Sequence, residues 1–425
     1  QLGVSGAIER LLNPTAVADD LDTRLNALNL DFTKVTDLQR WFLLRMLYSQ
    51  RPLEEKMTLF WHGLLTSGYR KLGKANNHPL MIQQNQLLRA HAFGRFDDLI
   101  RAVSTDPAMM HWLDLLKSTA AAPNENYARE LMELFTLGIG HYTQDDVVAG
   151  ARALTGWVVR GTQGVFVPQR HDTGTKTYLG DTGTLGLDDV VRLVCAHPAT
   201  GPHLALRLWT FFAYEQPSAS DLQPLVDAYE HQDHNIGAMM RALLHSPAFF
   251  SAKAYRARIK SPVEFVVGAL RALELSTDAQ RLPAALTLMG QSLFDPPNVA
   301  GWDGDKASAA WMATGAWITR LNVVNALVAA AGSVAGGGQA GGSVLQRLID
   351  QRQLGAPQDL VDYFVALLLD DQLTSDRRAA VTDYLTRSGG AGDPALTFHG
   401  GARAPAAAVR GALYLVMSLP EYQLN

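Results

Sequence analysis

Carboxylates stand out in the segment Pro123-Asn124-Glu125-Asn126-Tyr127-Ala128-Arg129-Glu130-Leu131-Met132-Glu133-Leu134-Phe135-Thr136-Leu137-Gly138. A second polar cluster follows at His171-Asp172-Thr173-Gly174-Thr175-Lys176. Cleavage of a glycosidic bond needs two carboxyl groups about 5–9.5 Å apart, one with a raised pKa. Glu130 or Glu133 with Asp172 would make such a pair, and Glu125 is the next choice. Asn126, His171 and Lys176 are suited to binding hydroxyls or charged substituents. His171, Asp172 and Lys176 also offer a general base, its orienting group and an anion clamp. The plainer alternative is an amphipathic helix with a solvated acidic face, then a polar turn in which Asp172 satisfies local backbone amides.

The first segment reads as one helix, opened by Pro123 and Asn124 and stopped by Gly138. At about 100° per residue, Tyr127, Ala128, Leu131, Leu134 and Phe135 share a face. Asn126, Glu130 and Glu133 fall on the other, with Glu130 at the border of the apolar stripe. Glu125 and Arg129 are spaced to pair on the surface, whereas Glu130 and Glu133 are like charges one turn apart. A carboxyl at the apolar border is partly desolvated, which raises its pKa toward the range useful for proton transfer. Glu130 is therefore expected to matter more than Glu125.

Other segments offer weaker chemistry. His62, in Phe60-Trp61-His62, reads either as a core histidine or as a ligand-binding one. Glu230-His231-Gln232-Asp233-His234 has two histidines at metal-pair spacing but no evident third ligand. In Asp295-Pro296-Pro297-Asn298-Val299-Ala300-Gly301-Trp302, Asn298 can hydrogen-bond, and Trp302 can either stack on a sugar or fill a core. Cys195 lies in an apolar helical stretch and is expected to be a free, non-catalytic thiol. No P-loop, dinucleotide fingerprint, nucleophile elbow, zinc-peptidase motif or EF-hand loop occurs, so those enzyme classes lose their usual support.

The elements that must position these groups are mostly helices. Helical periodicity covers 37–49, where Leu38, Trp41, Phe42, Arg45, Met46 and Tyr48 recur, and Pro52 ends the pattern. It recurs at 80–91, 97–103, 108–116, 204–214, 224–229, 236–244, 262–273 and 283–292, and again at 311–330, 345–354, 358–369, 375–386 and 405–418. Only 157–159 and 165–167, joined across a Gly-bearing connector, read as β-structure, a single short hairpin. The Gly/Ala/Ser-rich stretch 331–343 is expected to be a mobile excursion inside one helical domain spanning 1–425. With 47% hydrophobic and 18% charged residues, this is a core-forming chain. A net charge of −4 gives no reason to expect nucleic acid as a partner. No apolar run is long enough to span a membrane. The chain begins at Gln1 without an initiator Met or an apolar leader, so a leader is expected to have been removed or the chain trimmed.

Several strings together resemble the bacterial domain-of-unknown-function family 1800. They are FWH at 60–62, QNQLLRAHAFGRFDDL at 84–99, NENYARELMELFTLG at 124–138, DDVVAGARALTGW at 145–157 and HDTGTKTYLG at 171–180. KSPVEFVVGALRAL at 260–273, FDPPNVAGW at 294–302 and LYLVMSLPEYQ at 413–423 complete the set. Three departures stand out. Leu64 replaces a second histidine after FWH, the Asp-Asn segment before NEN is reduced to Leu113-Asp114-Leu115-Leu116, and the family's Arg-Ala-Gly-Phe-Gly-like opening is lacking. The missing histidine weakens a metalloenzyme reading. The resemblance implies export, to the periplasm or beyond, and an exported partner protein.

Three functional expectations follow. The first is an exported hydrolase, glycosidase-like, acting on a polysaccharide or envelope glycan without cofactor or resident metal. The second is a non-catalytic helical binding or assembly protein in which the NEN helix and the His-Asp loop form a structural network. The third, weaker, is a carboxylate/His metal site built from Glu130, Glu133, His62 and His171. Burial and mutual pairing of the motif residues would favour the second; an open cleft lined by the carboxylates would favour the first.

Overall fold

The computed structural model describes residues 2–332, 343–387 and 395–425. Among them, twenty α-helices and three two-stranded antiparallel sheets make up the regular structure, so the fold is mostly α. The chain divides into two compact units, residues 1–255 with 292–307 and residues 256–291 with 308–425. Every candidate site residue belongs to the first.

In the first unit, the helix Val35–Tyr48 is buried almost all round, and Pro52 starts the next helix, Pro52–Leu64, at its first position. Proline is at home there because the first helical N–H groups have no partner inside the helix anyway. Phe42, Met57, Trp61, Phe96, Leu208 and Trp209 are fully buried at the centre. The expected hairpin is present as β1 (Trp157–Arg160) and β2 (Gln163–Phe166), with Trp157 opposite Phe166. A second hairpin, β3 (Lys176–Tyr178) and β4 (Asp181–Gly183), was not legible because three-residue strands carry no measurable alternation. One glycine ties these pieces together: a Cβ at Gly150 would lie 2.9 Å from the Tyr178 ring and 3.4 Å from Ala128. The helix Gln144–Ala153 can therefore press closely on both the NEN helix and β3.

Several boundaries moved for identifiable reasons. Around 224–229 the helix runs Ala219–His231, because Ser218 and Asp221 cap each other's backbone amides and Pro224 is carried inside. The segment read as 108–116 is the shorter Pro107–Trp112, capped by Asp106, whose carboxylate accepts from the Met109 amide at 2.9 Å.

The second unit is built from Pro262–Ala272, Thr314–Gly332, Pro357–Leu369, Ser375–Arg387 and Ala406–Met417 with shorter helices. It carries the third hairpin, β5 (Ala395–Thr397) and β6 (Arg403–Pro405). Here Leu282–Leu288 stops early, at Gly290 with φ +95°. Trp311 sits in a 3-10 turn ahead of Thr314–Gly332. Of the expected mobile excursion at 331–343, Ala331 and Gly332 end that helix and Ser343 caps the next. Residues 333–342 lie outside the described residues. Among the described residues, no helix is long and apolar enough to cross a membrane.

Candidate functional site

The NEN helix starts as expected. Asn124 accepts from the Asn126 amide at 3.0 Å, and the α-helix runs Glu125–Glu130. It then continues as a π-helix, Leu131–Thr136, rather than as the α-helix the periodicity predicts. The wider turn lets the Leu137 amide reach the Met132 carbonyl at 2.9 Å, and the Thr136 hydroxyl reaches Leu131 at 2.6 Å. It also leaves the Leu134 carbonyl to the His203 Nε2–H, at 3.0 Å. A Cβ at Gly138, where φ is +81°, would approach that ring to 3.1 Å. The unwinding places Met132 and Thr136 in the core beside Leu131 and Phe135. Such π turns cost helix geometry and persist where surroundings demand them.

The carboxylates on this helix behave differently. Glu125 pairs with Arg129 at 2.9 Å and accepts from Gln144 at 3.0 Å, an exposed cluster as its spacing predicts. Asn126 is exposed, with a long contact of 3.5 Å to Asp114. Glu133 accepts from the Tyr142 hydroxyl at 2.6 Å, and burial together with that carboxylate pushes the phenol up to about 12. Glu130 is half-buried, and among the described residues no hydrogen bond or ion pair reaches it. Burial first, then repulsion from Glu133, raises its pKa.

The His-Asp loop is a closed clasp. Arg152 grips Asp172 with both ends of its fork, Nε at 2.7 Å and Nη2 at 3.2 Å. The Gly174 amide donates to the same carboxylate at 2.8 Å. The Arg152 hydrogen bond holds the Asp172 carboxyl below the usual carboxylate range. Thr155 accepts from the Asp172 amide at 2.8 Å, and its carbonyl accepts from His171 Nδ1 at 3.0 Å. Lys176 is 2% exposed and spends its ammonium protons on the Asp172 and Gly174 carbonyls. As a buried, engaged cation, it has no surface left for a substrate.

The third motif pair meets in the core. His62 Nε2 accepts from the Phe294 amide at 3.0 Å, which fixes the ring as neutral with its proton on Nδ1. Burial drives its pKa down to about 4. Trp302 lies 5.3 Å from the His62 ring and is only 2% exposed, so no indole face is open for a sugar. The close approach rests on Gly301, packed against the Gly63 carbonyl, while a Cβ at Gly63 would stand 2.6 Å from the Asp305 carboxylate. A Cβ at Gly301, where φ is +80°, would stand 2.3 Å from the Gly63 carbonyl. FWH and FDPPNVAGW thus form one packing unit, and His62 and Trp302 are core residues there. Asn298 is exposed and turns its own loop by accepting from the Ala300 amide at 2.8 Å.

The metal reading finds no geometry. Among the described residues, no three His, Cys, Asp or Glu side chains converge to hold an ion. His234 instead pairs with Asp97 at 2.7 Å and stacks on Tyr229, while His231 bonds the Asp227 carbonyl. Cys195 is a buried free thiol, its pKa pushed well up by burial.

Sequence reasoning passed over a charged cluster elsewhere in this unit. Glu55, 2% exposed, accepts from Arg45 Nε at 3.1 Å and from Arg89 Nε and Nη2 at 2.9 and 2.7 Å. Both guanidinium groups lie over the Trp41 ring, at 5.1 and 5.5 Å. The signal was present: Arg45 recurs on the apolar stripe of its helix, and a charge there must be paired.

In comparisons with curated proteins and with solved structures, nothing matches. A family model described as "Protein of unknown function (DUF1800)" matches residues 1–424. The chain therefore belongs to the DUF1800 family.

Proposed function

We propose that the chain is a non-catalytic helical binding protein of an exported assembly, and that its most distinctive motifs lock the fold together. The observation that carries this reading is the state of Asp172. Both its oxygens are taken by Arg152 and a third donor comes from Gly174. Donors so placed favour the anion and make Asp172 a poor proton donor. Lys176, His171 and Thr155 close the same loop from below. An extracytoplasmic setting and an exported protein partner go with the family resemblance. Cell fractionation of the full-length gene product tests the first, and pull-down of the exported fraction tests the second. For the lock itself, Asp172→Asn should lower the melting temperature, while no polysaccharide of a broad bacterial panel is cleaved by the unaltered chain.

One observation favours a second reading, hydrolysis of an envelope glycan. Glu130 is half-buried, unpartnered and held above its ordinary pKa, which are the properties of a proton donor. Cleavage of any panel member that Glu130→Gln abolishes without unfolding would put this reading first.

A further inference from the structure

The charged cluster that sequence reasoning passed over forms the floor of a cavity of about 570 Å³ in the first unit. Its size is that of ordinary small-ligand sites. Arg45 and Arg89 reach it from a buried network fixed by Glu55 beneath and Trp41 alongside. Groups so held need no reorganisation when a ligand arrives. Asp22, Arg51, Glu54 and Gln86 line it further, mixing donors and acceptors. Arg51 is itself anchored, donating to the Val17 carbonyl from Nε at 2.9 Å and Nη2 at 2.8 Å. Gln86 is exposed, with no side-chain hydrogen bond among the described residues. Among the described residues the Glu54 carboxylate has only a distant Arg51 contact, at 3.9 Å. Burial first, then the neighbouring Glu55, raises the Glu54 pKa.

Charge selects the ligand. Three guanidinium groups, on Arg45, Arg51 and Arg89, are matched by three carboxylates, on Asp22, Glu54 and Glu55; Asp22 pairs with Arg45, and Glu55 with Arg45 and Arg89, so a ligand meets the N–H groups that these pairs leave over. A net anion would meet Glu54 and Asp22, and a net cation would meet the arginines. A ligand rich in groups that both donate and accept satisfies both sets at once, and hydroxyls are such groups. The apolar lining, Leu12, Pro14 and Phe93, offers contact for the C–H face of a ring. We propose that this cavity binds a neutral saccharide, its hydroxyls shared between the arginine and carboxylate side chains. The inference names a ligand for the binding role proposed above and rests on that reading for its meaning. The cavity shares no residue with the Arg152–Asp172 clasp.

The test is titration of the full chain with neutral oligosaccharides of glucose, mannose, galactose and N-acetylglucosamine, followed by calorimetry and by Trp fluorescence, since Trp41 lies under both arginines. Uronic-acid oligomers and inorganic phosphate serve as anionic probes. Ala90, exposed on the cavity wall, provides a blocking variant, Ala90→Trp. Gln86→Ala removes one unpartnered amide and should weaken binding about fivefold or more. The expected result is saturable binding of a neutral oligosaccharide, abolished in Ala90→Trp while its melting curve is unchanged. No binding of any neutral saccharide, a preference for the anionic probes, or binding untouched by Ala90→Trp would overturn the proposal. If a bound saccharide is also cleaved, the cavity stands and the non-catalytic reading falls. If nothing binds but Asp172→Asn still lowers the melting temperature, the cavity falls and the lock remains.

Discussion

His62 shows what a single buried side chain imposes on the whole protein. Its ring is neutral in the fold, with a pKa driven down to about 4 by burial, and His203 is held at about 4 in the same way. Below the ordinary histidine value of about 6.5, the unfolded chain takes up protons that the folded chain refuses. Stability contributed by these rings is complete above that value and is lost as pH falls toward 4. Asp106 acts in the opposite sense, because burial holds its carboxyl up to about 7, so acidification between 7 and 4 relieves it. The His62 contribution is isolated by difference. His62→Gln keeps an acceptor for the Phe294 amide and should narrow its stability gap to the unaltered chain by up to about 3 kcal/mol between pH 7 and 4. Chemical denaturation across that range measures it, and a pH-independent gap would contradict the buried neutral ring. Glu130 carries a prediction of opposite sign. Since it is desolvated, unpartnered and repelled by Glu133, Glu130→Gln should stabilise the protein by about 0.5 kcal/mol in thermal or urea unfolding. A loss of stability would mean that its carboxylate has a partner in solution.

At the scale of elements, the motifs of the family are contacts between segments far apart in the chain. FWH and FDPPNVAGW meet where Gly301 packs against the Gly63 carbonyl, a closeness that no side chain at 301 allows. Gly301→Ala must both leave the left-handed region and clear a carbonyl 2.3 Å from its new Cβ. It is expected to cost about 3 kcal/mol or more, readable in a urea midpoint, whereas Gly268→Ala, inside the helix Pro262–Ala272 where the new Cβ meets nothing, should gain up to about 1 kcal/mol. Equal effects at the two sites would show that the loop is not pressed against the helix as described. Helices and the first hairpin were legible because periodicity and proline or glycine stops are local signals. The π turn at Leu131–Thr136 was not, since a tertiary partner, His203, receives the carbonyl that the wider turn releases. The glycine contact was equally illegible, because sequence states that Gly63 and Gly301 exist but not that they touch.

For the molecule as a whole, the family and the mostly α fold were readable from one chain, and the meaning of its polar residues was not. Asp172 and Lys176 look identical in sequence whether they face a cleft or face Arg152 and backbone carbonyls. Only the fold decides, and it pairs them. Arg45 and Arg89 illustrate the reverse case, residues silent in sequence that the fold gathers over Trp41 at the floor of a cavity. The binding reading stands on the clasp being structural, and a double-mutant cycle with Arg152→Gln, Asp172→Asn and the pair measures that directly. Two charge-assisted hydrogen bonds on a mostly buried carboxylate should appear as a coupling energy of about 1–3 kcal/mol in urea unfolding, with no polysaccharide cleaved by any of the four proteins. A coupling below about 0.5 kcal/mol, with a glycan-cleaving activity lost in Asp172→Asn, would contradict it.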